Sequence, residues 1–143
     1  MDDLKEQLRK SLGIREPSVD ADRCAYNVIG AAIEVHKTLG AGFPEDVYET
    51  ALAAELEIRG IAYTRQVPVE VRYKGRPVGS FKLDLLVEDI LVVELKPVSA
   101  IATVHVAQTI AYLKATNLHL GVILNFNVGA LRDHGIRRVV RSR

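Results

Sequence analysis

Residues 81–96 read FKLDLLVEDILVVELK, and the reading of this stretch decides the fold. Leu83 to Val87 and Leu91 to Leu95 are apolar except for one acid in each arm, Asp84 and Glu94. Glu88-Asp89 begins a tight turn between them, so the arms are expected as antiparallel strands. If the turn centres on Asp89, position 84 falls opposite position 94, with the two Cβ atoms about 5 Å apart. Side chains alternate along a strand, so Glu94 and Lys96 share a face.

Working outward, Val67, Val69, Val71 and Tyr73 alternate with Pro68, Glu70 and Arg72, which predicts a further strand. Lys74-Gly75 turns it into the strand that runs from about Val78 to Val87. Pro97 ends the strand over 91–96, since the residue before proline is pushed into an extended conformation. Upstream, Asp20 or Asp22 is expected to start a helix whose apolar stripe is Ala25, Val28, Ile29, Ala32, Ile33 and Val35. Gly40 and Gly42 break it. A second helix follows, with Pro44 in its first turn and Tyr48, Leu52 and Leu56 inward, and Gly60 ends it. Downstream, residues 100–115 read as a helix with Ile101, Val104, Gln108, Ala111, Tyr112 and Ala115 on one face. His119 to Phe126 suits a strand covered on both sides, and Ile136 to Val140 is a weaker last strand. The step from 91 to 126 is expected to be a right-handed parallel crossover. The sum is an α/β domain, a mixed sheet of about five strands flanked by helices, over residues 21–143. Residues 1–20 read as an appendage, with a short polar helix over 2–12 and a linker from Gly13 to Ser18.

Composition bounds the function. A chain of 143 residues with 48% hydrophobic and 26% charged residues is an ordinary globular domain. Its net charge of +1 excludes a protein that coats nucleic acid by charge alone. The single Cys24 excludes an internal disulfide and the usual Cys-based zinc sites, and is expected to be a small buried hydrophobe. No apolar run approaches the roughly 20 residues that span a bilayer, and the charged N-terminus lacks a secretion signal. The expectation is a cytoplasmic protein with no membrane partner.

Two carboxylates held that close repel unless a cation lies between them. Magnesium or manganese is the economical answer, because a small hard cation takes one or two carboxylates and keeps several waters. Asp84 and Glu94 are the expected metal ligands, with the Leu95 carbonyl as a further oxygen. Lys96 is then placed to orient or deprotonate an attacking water, or to neutralise charge on a phosphate. Taken alone, Glu94 and Lys96 are also what a solvent-facing surface pair looks like. Glu45 shares the inward face of its helix with Tyr48 and Leu52 and is expected to reach the same metal; by itself it is equally an acid favoured by the helix dipole. Gln108, a polar residue in an apolar stripe, is expected to hold Lys96 or a phosphate oxygen, with Tyr112 one turn on. His105 lies one turn before Gln108 and is a candidate for substrate contact. His36 reads as a helix C-terminal residue. Arg137 and Arg138 belong to a basic tail and are candidates for phosphate contact.

The stretch from about Val28 to Val140 resembles the GxxExxY family, a branch of the PD-(D/E)xK nuclease superfamily. The resemblance rests on Gly42-Phe-Pro-Glu45-Asp-Val-Tyr48 and on the ordered blocks IEVHKTLGAG, YETALAAEL, QVPVEVRYKG, LDLLVEDILVVELK, AQTIAYLKAT, GVILNF and GIRRVV. It implies a restriction-endonuclease-like core. It implies Asp84 as the motif Asp, Glu94 and Lys96 as the (D/E)xK pair, Glu45 as the helix acid, and Gln108 with Tyr112 as a QxxxY element. Leu83 stands where the superfamily's name has proline. The expected function is metal-dependent phosphodiester hydrolysis in DNA, with RNA as the alternative substrate. Two further readings are a module that binds nucleic acid or protein without cutting, and a homodimer formed through the sheet edge at Ile136–Val140.

Overall fold

The hairpin at the centre of the sequence has the expected register. In the computed structural model, which describes residues 18–142 together with Leu4 and Gln7, Leu85, Leu86 and Val87 pair with Val93, Val92 and Leu91. Strand β1 is Tyr63–Tyr73, β2 Arg76–Val87, β3 Leu91–Leu95, β4 Leu120–Leu124 and β5 Ile136–Val140. The helices are α1 (Val19–Leu39), α2 (Glu45–Ile58), α3 (Thr103–Thr116) and the single turn α4 (Leu131–His134). The expected helix over 2–12 lies, apart from Leu4 and Gln7, outside the described residues.

The sheet runs β1-β2-β3-β4-β5, antiparallel except where β3 and β4 lie parallel across the α3 crossover. Both hairpin turns use left-handed backbone: Lys74 and Gly75 at φ 49° and 80°, Glu88 and Asp89 at 52° and 58°. Such turns match the twist of the flanking strands. One apolar layer joins Val28 and Ala32 of α1, Leu52 and Leu56 of α2, and Leu85, Val93 and Val122 of the sheet. A smaller layer on the opposite face joins Leu83, Val92, Ile123 and Val139 to Leu113 of α3.

Three local expectations are corrected. Helix α1 starts before Asp20, because the Ser18 hydroxyl accepts the Ala21 N–H at 3.1 Å and caps it; the two aspartates occupy the first turn. Pro44 is the cap of α2 rather than its first residue, with ψ 156° still extended. Helix α3 begins at Thr103 and turns Thr109 and Leu113 inward, leaving Val104 exposed. Gly121 of β4 explains that rotation. A Cβ there would meet Thr109 Cγ2 at 3.0 Å, so the helix seats itself where the strand has no side chain. His36 is buried as well as being near the helix end, and its Nε2 faces the Val128 carbonyl at 2.9 Å.

The sheet has one irregularity that matters for function. Leu85 and Val87 face α1, yet Leu83, two residues away, packs with the α3 layer. A regular strand keeps such residues on one face. The β1–β2 ribbon therefore turns over at Asp84. The pairs Arg65↔Leu85 and Val67↔Leu83 bracket Gln66 opposite Asp84, and Gln66 has φ 50°. Glu49 of α2 holds this bend. One carboxylate oxygen accepts Arg65 Nε at 3.1 Å and Nη2 at 2.8 Å, and the other accepts Gln66 Nε2 at 2.9 Å. Glu49 is buried, so these bonds replace its hydration. Glu49→Ala is expected to cost about 2 kcal/mol in urea unfolding, the scale of a lost hydrogen-bonded charge. A loss below a few tenths would show that the clamp carries no load.

Candidate active site

Strand β3 does not follow β2 through the bend. Their pairing stops at Leu85↔Val93, and β2 continues with β1 alone. The two strands fork, and the acids lie in the fork. The Leu95 N–H, left without a ladder partner, donates to Asp84 Oδ2 at 2.8 Å. In an extended strand a residue's N–H and C=O point to the same side, so the Leu95 carbonyl also faces the fork.

Glu94 is 2% exposed, and its Oε1 is buried with no hydrogen-bond partner among the described residues. Burial, first, and then the hydrogen bond and charge of Asp84 push its carboxyl up to about 9, against the opposing pull of Lys96. Glu94 therefore keeps its proton at neutral pH unless something else neutralises it. Glu45, at the start of α2, is half-buried, and its carboxyl is raised by burial and then by the charge of Asp84, with Lys96 lowering it. The Lys96 ammonium donates to Gln108 Oε1 at 2.6 Å. Tyr112 stacks on Phe81 with centroids 4.0 Å apart, and burial followed by the charges of Glu94 and Asp84 raises its hydroxyl. The structure thus brings together Asp84, Glu94, Lys96, Gln108, Glu45 and Tyr112.

Tyr48 has a different place. It is buried under the glycine turn, donating its hydroxyl to the Gly40 carbonyl and accepting the Phe43 N–H at 3.1 Å. Gly40 and Gly42 sit at φ 74° and 109°, where a side chain would be strained. The Gly42–Tyr48 motif is thus a loop stapled by its own tyrosine, and the staple presents Glu45 at the helix start. His105 is drawn to the start of α3, where Nδ1 accepts the Ala102 N–H at 2.8 Å, and no bond links it to the acids. Arg137 lies on the face of Glu94, in a row through Ile123. Arg138 turns to the other face and pairs with Asp22 at 2.6 Å. The sequence reading missed Glu49 and Gln66. The signal for Glu49 was an acid one turn beyond Glu45 with no solvent-facing role.

Among the described residues, no three His, Cys, Asp or Glu side chains gather as a metal cage. The two carboxyls in contact nonetheless fit a small divalent cation, which takes one or two carboxylates and keeps its waters. The orphaned Glu94 oxygen beside Asp84 is the observation that supports the fit. Asp84, Glu94 and the Leu95 carbonyl would hold such an ion, with Glu45 nearby.

A mixed sheet forked around two acids, with a lysine two residues along the strand, defines a restriction-endonuclease-like domain. The family model of the PD-(D/E)XK nuclease superfamily matches residues 22–139, and the chain belongs to that superfamily. No curated protein and no solved structure matches it. Among the described residues, no helix is long and apolar enough to cross a membrane.

The state of Glu94 has a measurable consequence. Its folded value of about 9 lies above the unfolded 4.5, so between them the native state binds more protons than the unfolded state. Its contribution to stability is therefore lost as pH rises through that window. In chelator, Glu94→Gln is expected to gain at least about 3 °C in Tm over wild type at pH 8 relative to the same comparison at pH 5. A Tm difference independent of pH would contradict the buried protonated acid.

Proposed function

We propose that this domain is a metal-dependent nuclease of the GxxExxY branch, hydrolysing phosphodiester bonds in DNA, with RNA as the alternative substrate. The observation that carries the reading is the buried Glu94 oxygen, unpartnered among the described residues, against Asp84, with Lys96 just past the end of the same strand. A bound magnesium or manganese ion would supply Lewis-acid polarisation of a phosphate oxygen and make water a better nucleophile at neutral pH. Asp84 and Glu94 would hold that ion, and its charge would favour the ionised form of Glu94. Lys96 faces the developing charge on the phosphate or takes part in orienting the attacking water. Gln108 fixes the amine, so the donor is already placed when charge develops. Arg137 extends the positive character of this face toward the substrate's flanking phosphates.

Wild-type protein is expected to cut oligonucleotide DNA with manganese or magnesium and to stop in chelator. Asp84→Asn and Lys96→Ala are each expected to lose at least about 100-fold in rate while keeping the wild-type circular dichroism spectrum. Gln108→Ala should lose less, because the amine remains. Undiminished cutting by both of the first two variants defeats the assignment.

Among the described residues, Glu45 does not come close enough to Asp84 and Glu94 to complete a three-residue metal cage, which favours a second reading, a module that binds without cutting. Calorimetry separates them. A catalytic site takes up manganese in the wild type and loses that heat in Glu94→Gln, whereas a pure binder shows no manganese heat at all.

A further inference from the structure

Beside the acids is a cavity of about 230 Å³ that shares Glu45 and Lys96 with them. Its other walls are aromatic. Tyr48 and Phe126 stack at 4.6 Å and 2° to form a buried floor, and Phe43 stands edge-on to Tyr48 at 6.2 Å and 76°. Phe43 is 50% exposed, an aromatic ring left in water at the rim of a cleft. Asn127 supplies the cavity's remaining polar group. Its side-chain amide makes no hydrogen bond among the described residues, whereas the neighbouring Asn125 amide is committed to Val98 at 2.7 Å.

Size and chemistry narrow the occupant. Drug-sized ligands take pockets of about 300–1,000 Å³, so this cavity suits one planar ring system. An apolar floor, an exposed ring to stack on, a free amide at the rim and a lysine in the wall together fit a nucleobase joined to a phosphate. A phosphate neutralised by Lys96 would put its own nucleoside within reach of Phe43. We infer that this cavity receives one unstacked nucleobase of the strand next to the phosphate held at Asp84, Glu94 and Lys96, with Phe43 as the stacking platform and Asn127 at the base edge. The inference rests on the proposed nuclease reading and adds to it a substrate class. A base in this cavity has left its helical stack, which costs least in a single strand, a flap or a frayed end. The domain therefore prefers unpaired DNA at the cut.

The test compares a short oligothymidylate with a strand of equal length and phosphate count built from abasic residues, binding being followed by fluorescence anisotropy in chelator. Wild-type protein is expected to bind the base-bearing strand roughly five- to 100-fold more tightly, the range for loss of one aromatic–base stack. Phe43→Ala should abolish that ratio and Phe43→Trp should keep it. Phe43 is at the surface, so its truncation spares the core. Equal binding of the two strands by wild type, a preference that persists in Phe43→Ala, or no binding of either strand overturns the inference. Manganese-dependent cutting is scored separately. Loss of cutting with the binding ratio intact removes the nuclease reading and leaves the base site, whereas cutting with a ratio of one does the reverse.

Discussion

The molecule is organised around two carboxyl groups that the backbone forces together. The hairpin pairs up to Leu85 and Val93, which leaves Asp84 and Glu94 as the first residues of the fork, and the sheet buries Glu94 almost completely. Holding them there costs the fold desolvation and like-charge repulsion, partly relieved by the raised Glu94 carboxyl, which favours its neutral form, and by the Leu95 N–H bond to Asp84. A packed apolar pair at these positions would relieve both costs. The sheet is stable enough to tolerate them because both faces beneath the fork are filled, by α1 and α2 on one side and α3 on the other.

The fork follows from a backbone reversal. Had β2 kept its alternation, Leu83 would have joined Leu85 under α1, and β3 would have paired on past Val93. The left-handed conformation of Gln66 instead turns the ribbon over and takes β2 away from β3 at the residue where an acid is needed. A conformation disfavoured for residues other than glycine persists where neighbours over-determine it. Here those neighbours are the Glu49 carboxylate and the ladder bonds on either side of Gln66.

Much of this was legible in the residues, and the limits are physical. The hairpin can be read because its turn leaves one register, which holds from Leu91 to Val93 and ends beside Asp84 and Glu94. Gln108 emerged as a polar break in a helix and does meet Lys96, although it sits on the exposed side rather than in the stripe. The residues do not show that His105 serves the helix start, because the apolar pattern places that start three residues early. From Thr103 onward His105 is in the first turn, where a side chain tends to serve the backbone. Arg137 and Arg138 read as one basic patch, yet neighbours on a strand point to opposite faces, and only Arg137 lies on the face of Glu94. The bend at Gln66 had no signal of its own, since φ depends on partners that are distant in sequence.

Helix α2 links these features more tightly than its length suggests. Glu45, Tyr48 and Glu49 all lie within its first turn and a half, and they serve respectively as an acid of the fork, the staple of the glycine loop and the clamp on the ribbon. A substitution that shifted this one segment would therefore act on the charge, the loop and the ribbon together, and the three cannot be tuned separately.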